Sequence, residues 1–156
     1  MLENFNCRVA LRSPAHITLI PPFRMYADKQ QDFYKALDLL ANSIEPFTIE
    51  TGHFDSFGKR TLFLESVLSP PLKQLHSSIN NWVKGHPVFG TSIDNRPFHP
   101  HITIANRDLT PDAFKAGKAY FAEQQAGLAW LAEGLGVLRL KKNWEVIHAS
   151  QFLKDL

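Results

Sequence analysis

The tripeptide His-Ile-Thr occurs twice in the chain, at residues 16–18 and 101–103, each time close behind a proline. Two copies are improbable in a shuffled sequence of this composition, so the repetition needs a structural explanation. In an extended strand, residues i and i+2 face the same side, so each copy presents an imidazole and a hydroxyl together while the isoleucine points the other way. The repeat therefore predicts a fold in which two strands each supply half of one polar site.

The rest of the sequence alternates strand and helix patterns. Strands are predicted over residues 5–12, 15–20, 47–57, 60–67, 99–105, 128–140 and 144–152, and helices over 28–43, 69–85 and 110–125. Asp28, Ser69 and Thr110 stand where helix caps are expected. Each motif strand precedes a helix and then paired strands. This order predicts an α+β domain of two similar halves, with mostly antiparallel sheets and the helices packed outside.

Length and composition favour one soluble domain. The 156 residues, 44% of them hydrophobic, suit a single domain over residues 1–156 made of two intertwined lobes. Trp82, Trp130 and Trp144 are expected in its core. A single cysteine, Cys7, excludes an internal disulfide and favours a reducing cytoplasm. No stretch approaches the roughly 20 apolar residues of a membrane span. The net charge of +2 with scattered basic residues does not indicate a broad nucleic-acid-binding face.

The paired motifs suit phosphodiester cleavage. This reaction needs a base to activate the attacking hydroxyl or water and an acid to protonate the leaving oxygen on the opposite side of phosphorus. Histidine can fill either role near neutral pH, so His16 and His101 are the predicted catalytic pair. Thr18 and Thr103 are predicted to donate hydrogen bonds to the non-bridging phosphate oxygens. Neither a metal nor another cofactor is required.

Two other interpretations of the histidines remain open. A lone histidine on a strand is usually structural, and this is how we interpret four histidines that lack a following Ile-Thr: His53, His76, His86 and His148. His99 and His101, together with His16, could instead hold zinc, since imidazole is a common zinc ligand. That alternative leaves both threonines unexplained, and no carboxylate lies near either motif in the sequence.

The sequence resembles the two-histidine phosphoesterase superfamily over most of its length. The features that carry the resemblance are the two motifs, the segment FHPHITIA at 98–105 and the order of the strands and helices. This superfamily includes bacterial and archaeal RNA 2',3'-cyclic phosphodiesterases, also called RNA 2',5'-ligases. The resemblance implies a bilobal fold with pseudo-twofold symmetry, a central cleft and no metal. It further implies an enzyme that hydrolyses nucleotide or RNA 2',3'-cyclic phosphates, or joins RNA ends by the reverse displacement.

The alternative to an enzyme is a nucleotide- or RNA-binding module that keeps the cleft without turnover. Both motifs keep their histidine and their threonine, and binding alone would not need an acid and a base, which argues against this alternative. In either case the expected partner is a nucleotide or RNA with a cyclic phosphate, with no membrane and no obligate protein partner.

Four further residues are candidates for substrate binding. Many relatives follow the second motif with Ala-Arg, whereas here Asn106 precedes Arg107, so Arg107 is kept only as a candidate phosphate ligand. Arg24 is a second candidate of that kind. Phe23 and Phe98 flank the motifs and could stack on a base, although aromatic residues beside a strand more often belong to the core. The short segment before the first motif suggests a smaller or looser substrate site.

Overall fold

The computed structural model describes residues 7–124 and 126–153 of the chain. Within them lie three α-helices and six β-strands. The helices are α1 (Gln30–Ala41), α2 (Pro70–Gly85) and α3 (Pro111–Ala122). The strands are β1 (Phe47–Phe57), β2 (Thr61–Ser66), β3 (His101–Ala105), β4 (Ala129–Ala132), β5 (Gly134–Leu140) and β6 (Trp144–Gln151). No helix in these ranges is both long and apolar enough to cross a membrane.

The strands form two antiparallel sheets. Four of them pair in the order β3-β2-β1-β4, and β5 pairs with β6. The predicted α+β class and antiparallel pairing are thus confirmed. The hairpin of β1 and β2 lies at the centre of the larger sheet, so β3, which carries the second motif, is held against a buried strand. Phe63 and Leu64 of β2, both buried, form part of that support.

Local sequence explains where the helices begin. The Ser69 hydroxyl accepts a hydrogen bond from the Leu72 N–H at the start of α2. At the start of α3, the Thr110 hydroxyl accepts from the Ala113 N–H at 3.2 Å. A proline follows each cap, where its missing N–H costs nothing. The predicted cap of α1 is wrong, because Asp28 lies inside a 3₁₀ turn, Ala27–Lys29, that precedes the helix.

The apolar side chains form two clusters. The larger packs α1 and α2 around Phe33, whose ring meets those of Trp82 and Phe89 edge-on at 5.5 and 5.3 Å. The smaller lies beneath α3 and has Cys7, Leu62 and Ala105 at its centre; Leu109, Phe114 and Phe121 pack against it. Helix α3 is therefore fixed over the β1–β2 hairpin on the side where β3 ends.

The predicted strand pattern is wrong at the N-terminal end. Residues 9–12 form a 3₁₀ helix, and 15–20 contain no regular strand, only an isolated bridge at Ile17. Residues 5 and 6 of the first predicted strand lie outside the described residues, as does Gln125 at the end of the third predicted helix. Prolines at 14, 21 and 22 have no N–H to donate, so a continuous ladder cannot form around the first motif.

The segment 128–140 is two strands rather than one. Glu133 separates β4, which pairs with β1, from β5, which pairs with β6. Because β4 is the edge of the larger sheet, Trp130 is 37% exposed, and its predicted core position is wrong. Trp82 is buried as predicted, and Trp144 is half-buried.

A polar cluster attaches α1 to β6. The Asp38 carboxylate accepts a hydrogen bond from the buried Ser150 hydroxyl at 2.6 Å and contacts His148 Nε2 at 2.7 Å. Tyr34 stacks on the His148 ring, with centroids 4.1 Å apart. The Ser150 hydroxyl and then His148 hold the pKa of Asp38 below its usual value. A lowered pKa means that the contact stabilises the fold above the unfolded pKa of about 4 and that this stability is lost as the pH falls through the folded pKa.

Ser150→Ala is therefore expected to lower the free energy of unfolding by about 1 kcal/mol at pH 7, because one hydrogen bond to a partly exposed carboxylate is lost. Urea unfolding at pH 7 and near pH 3 measures it, and the difference from wild type should shrink at the lower pH. Ser43→Ala is the control, since the Ser43 hydroxyl donates to the Leu40 carbonyl of α1, which does not titrate. An effect of Ser150→Ala that is the same at both pH values would contradict the role of Asp38.

Candidate active site

The two His-Ile-Thr motifs lie side by side. Their central residues, Ile17 and Ile102, form an isolated antiparallel bridge on the outer side of β3. An antiparallel pair has a local twofold axis between its strands, so the bridge relates one motif to the other by approximate twofold symmetry. The symmetry that the repeated sequence predicts is therefore present at the motifs themselves, in directly paired backbone segments.

The bridge brings the backbones of the two motifs together. Continued by one residue on either side, an antiparallel register would place His16 across from Thr103 and Thr18 across from His101. His101 and Thr103 of β3 alternate with Ile102 and project to one side of the strand, and an extended backbone at the first motif would direct His16 and Thr18 to the same side. In that register the two histidines are diagonal neighbours, whose Cα atoms stand roughly 7–8 Å apart in a paired sheet. Such spacing leaves room for one phosphate group between two imidazoles.

Both imidazoles are held by the same backbone contact. Nδ1 of His16 lies 2.8 Å from the carbonyl oxygen of Pro14, and Nδ1 of His101 lies 2.7 Å from that of His99. A carbonyl oxygen can only accept, so in both rings Nδ1 carries the hydrogen and donates it. In the neutral ring, Nε2 is then the nitrogen with the free lone pair. The protonated ring keeps the same contact, so Nε2 can gain and lose a proton without ring rotation.

The two histidines differ in their surroundings. His101 is half-buried against two aromatic rings, with centroid distances of 4.9 Å to Phe57 and 5.1 Å to Phe63. Phe63 is fully buried, whereas Phe57 is 42% exposed beside the motif. His16 is exposed, and its second near contact is the Ser13 hydroxyl, 3.2 Å from Nδ1. The site is therefore symmetric in backbone contacts and asymmetric in solvent access.

A carboxylate also stands next to the second motif. Glu65 on β2 is the register partner of His101 on β3. Its carboxylate lies against Gly52 of β1, so close that a Cβ added to this glycine would come within 2.7 Å of Oε2. The same oxygen contacts Nδ1 of His53 at 2.9 Å. The carboxylate is thus directed toward β1 rather than across the bridge to the first motif.

The two candidate stacking residues are packed against the larger apolar cluster. Phe23 lies 5.6 Å from the Phe33 ring. Phe98 stacks on His76 of α2, with centroids 3.8 Å apart and planes 3° from parallel. Burial lowers the pKa of His76, which favours its neutral form. Both phenylalanine rings therefore already have a partner in the fold.

The two candidate arginines are exposed and differ in backbone conformation. Arg24 belongs to the segment that follows the first motif. Arg107 has a φ of 56°, a conformation uncommon for residues other than glycine. The Asp108 N–H donates to the Asn106 carbonyl at 2.6 Å, which closes a tight turn around it. Such a turn costs of order 1–3 kcal/mol of strain. It directs Arg107 into a groove beside α3.

The predicted site residues do not come together as a metal centre. In residues 7–124 and 126–153, no group of three or more His, Cys, Asp or Glu side chains is arranged to hold a metal ion. The rings of His99 and His101 are 6.2 Å apart at their centroids and both contact Phe57 and Phe63.

Sequence reasoning missed three parts of this site. It did not find the two backbone carbonyls that orient the imidazoles, because main-chain contacts leave no signature in residue type. It also missed Glu65, since strand register brings this carboxylate to the motif from a distant part of the sequence. Phe57 and Phe63 did carry a signal, as aromatic residues in the strands of the hairpin, but nothing in the sequence paired that hairpin with the second motif.

Comparisons with known proteins identify the family of the chain. Residues 3–144 match the family described as the 2'-5' RNA ligase superfamily. The RNA 2',3'-cyclic phosphodiesterase of Bacillus subtilis (strain 168) is 30% identical over 134 residues, which cover 82% of this chain and 69% of that protein. Relatives from Bacillus cytotoxicus and Bacillus mycoides, also 30% identical, are covered over 52% and 54% of their lengths, so the chain spans about half of each.

A solved structure has a similar fold. The crystal structure of TT0787 of Thermus thermophilus superposes with a TM-score of 0.62 at 22% sequence identity. The similarity covers 88% of this chain and 78% of that one.

Proposed function

The chain belongs to the 2'-5' RNA ligase superfamily, and we propose that it is a phosphoesterase that opens 2',3'-cyclic phosphates of nucleotides or RNA ends. His16 and His101 act as general acid and base, and Thr18 and Thr103 bind the phosphate. The observation that carries the proposal is the paired orientation of the imidazoles. Each donates Nδ1–H to the carbonyl two residues earlier, which leaves both Nε2 atoms free for proton transfer.

The twofold arrangement suits an in-line displacement. The attacking oxygen and the leaving oxygen stand on opposite sides of phosphorus, so the base and the acid must approach from opposite sides. The bridge between Ile17 and Ile102 supports such an arrangement, because the local twofold axis of an antiparallel pair would pass between the two histidines. A phosphate centred on this axis would have one imidazole on each side.

The proton balance follows from the tautomers. One Nε2 accepts the proton of the attacking water or 5'-hydroxyl as its oxygen bonds to phosphorus. The other Nε2, protonated at the start, gives its proton to the 3'-oxygen as that bond to phosphorus breaks. The product carries a 2'-phosphate after hydrolysis or a 2',5'-linkage after attack by RNA. The two histidines end with their protonation states exchanged, and solvent restores them.

The threonines complete the phosphate contacts. An antiparallel register continued from the bridge would put Thr18 and Thr103 on the side of the histidines, where their hydroxyls donate to the non-bridging oxygens as negative charge grows there. The proposal assigns no role to Phe23 and Phe98, whose rings are packed in the fold. Phe57 is the exposed aromatic residue next to His101 and is the better candidate for contact with a base or ribose.

The proposal is tested with a panel of nucleoside 2',3'-cyclic phosphates and cyclic-ended oligonucleotides, with and without EDTA. We expect turnover that is unchanged by the chelator, with 2'-phosphate products identified by ³¹P NMR. Binding of these ligands without turnover would favour the alternative of a binding module. Turnover that EDTA abolishes and zinc restores would favour a metal-dependent hydrolase.

A further inference from the structure

A carboxylate lies on the same face of the larger sheet as His101 and Thr103. Glu65 of β2 is directly opposite His101, and Phe63 is directly opposite Thr103. Residues that stand opposite each other in an antiparallel pair project to the same face. Phe57 of β1 also reaches this face, because its ring lies 4.2 Å from the ring of Phe63 and 4.9 Å from that of His101. The surface beside the second motif therefore includes an aromatic ring and a carboxylate.

Helix α3 packs on the other face of the sheet. Its Phe121 contacts Phe54 of β1, and Phe54 is directly opposite Leu64 of β2. Because successive residues of a strand point to opposite faces, Glu65 projects away from the helix. The Glu65 side chain is 31% exposed, and Phe57 is 42% exposed. A ligand that binds at the second motif can therefore reach both side chains.

The position of the Glu65 carboxylate depends on Gly52. This glycine lies inside β1, where the register between β1 and β2 shifts. Glycine in a strand often marks a place where another group approaches the backbone closely. Here that group is the carboxylate, whose Oε2 would lie 2.7 Å from an added Cβ. The space that the glycine leaves lets the carboxylate lie over β1, away from the His101 ring.

The Glu65 carboxylate keeps free acceptor positions. The contact with His53, a 72% exposed side chain, uses one oxygen, Oε2. Within residues 7–124 and 126–153, no hydrogen-bond donor contacts the other oxygen, Oε1. An ionised carboxylate accepts only and has about four lone-pair positions. It can therefore take two further hydrogen bonds from a ligand that presents neighbouring donors.

The carboxylate is one nucleoside length from the proposed phosphate position. Adjacent strands lie about 4.8 Å apart, so a group over β1 is roughly 10 Å from β3. A nucleoside that is held by its phosphate at the motifs and lies beside Phe57 would direct the pairing edge of its base toward Glu65. A purine, which is longer than a pyrimidine, reaches further in this direction.

We propose that Glu65 determines the base specificity of the enzyme and that the preferred base is guanine. The inference rests on the proposed function, which places the phosphate between the two motifs. Guanine presents two neighbouring donors, N1–H and the N2 amino group, on its pairing edge, and these match the two oxygens of a carboxylate. The substrate class is then guanosine 2',3'-cyclic phosphate, free or as the last nucleotide of an RNA.

The other three bases match the carboxylate less well. Adenine and cytosine each place one amino group beside a ring nitrogen that only accepts, and uracil places one N–H between two carbonyl oxygens. An acceptor that faces a carboxylate finds no donor and loses its water, which disfavours binding. Stacking on Phe57 is open to every base and does not distinguish them. Discrimination therefore depends on Glu65.

The kinetic test compares kcat/KM for the 2',3'-cyclic phosphates of guanosine, adenosine, cytidine and uridine. Wild type should prefer guanosine by about tenfold or more, the usual worth of a bidentate contact with a base. Glu65→Gln should lower the guanosine value about tenfold and leave the other three within about twofold, because the amide N–H₂ would face the donors of guanine. The matched control is Glu123→Gln, which removes the same charge from an exposed residue at the end of α3.

A second variant moves the carboxylate without removing it. Gly52 is not in the left-handed region, so its backbone accommodates alanine. The new Cβ would displace the flexible end of the Glu65 side chain, and Gly52→Ala should lose the guanosine preference while it keeps its melting temperature to within a few degrees of wild type. Gly85→Ala is the control, since a Cβ there meets no atom within 4 Å.

A binding measurement separates this inference from the proposed function. Isothermal titration calorimetry with guanosine and adenosine 2'-monophosphates needs no turnover. Wild type should bind the guanosine ligand about tenfold more tightly, and Glu65→Gln should bind both alike. A wild type without guanine preference, a preference that Glu65→Gln retains, or equal losses on all four bases would overturn the inference. Guanine-selective binding without turnover would refute the proposed function alone, and turnover without base preference would refute the inference alone.

Discussion

Replacing either His16 or His101 with alanine is expected to lower kcat/KM for cyclic phosphates by about 10²–10⁴-fold, the usual worth of one positioned acid or base. The wild-type profile of kcat/KM against pH should be a bell, because one imidazole must be neutral to accept a proton while the other must be charged to donate one. Each alanine variant should lose one limb. Loss of the acidic limb identifies the replaced histidine as the base, and loss of the basic limb identifies it as the acid.

Because His16 and His101 differ in burial, their replacements are expected to differ in their effect on stability. His16 is exposed, so its replacement should leave the melting temperature nearly unchanged, whereas His101 packs against Phe57 and Phe63. His101→Gln keeps a hydrogen-bonding side chain of similar reach and separates loss of chemistry from loss of packing. His53→Ala, which removes a 72% exposed histidine outside both motifs, should keep turnover. Full activity of His16→Ala or of His101→Gln would refute acid-base catalysis by this pair.

The pairing of the motifs shows how far the sequence determines the site. Two identical tripeptides predicted a symmetric polar site, and the bridge between Ile17 and Ile102 brings both copies together. The same reasoning predicted a regular strand at the first motif and was wrong, because prolines on both sides remove the donors that a ladder needs. The repeat held information on which residues meet, while the form of the backbone there depends on its neighbours in sequence.

Elements with strong local signals were predicted closely. The hairpin of β1 and β2 and the capped helices α2 and α3 begin within a residue of their expected positions, because caps, prolines and alternation act within a few residues. The same local signals do not show which strands pair with each other. One apolar run at 128–140 divides between two sheets, and Trp130 is partly exposed because β4 has no neighbour beyond it in the sheet.

The groove beside α3 that Arg107 lines illustrates the same limit for function. Its cations come from the β1–β2 turn, from the loop after β3 and from α3. In the sequence they are separated pairs and single residues, which the net charge of +2 does not reveal. Charge patterning in a sequence finds clusters that are local, whereas tertiary packing brings the β1–β2 turn to a segment that lies more than 40 positions further along the chain.

Thr18→Val and Thr103→Val are each expected to lower kcat/KM by about 10²-fold, the low end for loss of one oxyanion donor. Valine keeps the β-branched shape that suits an extended segment, so the change removes the hydroxyl with little effect on the backbone. Thr→Ser at the same positions restores the donor and should recover activity to within a few fold. Thr18 is exposed and Thr103 half-buried, so unfolding transitions of all four variants should stay close to wild type.

The division of the loss between kcat and KM shows when each hydroxyl acts. A donor aimed at charge that develops in the transition state affects kcat, whereas one that binds the phosphate equally in both states affects KM alone. Because both hydroxyls are proposed to bind the same phosphate, the double valine variant should lose less than the product of the single losses. Multiplicative losses would instead mean that the two hydroxyls act independently, and unchanged kinetics in either single variant would remove that threonine from the site.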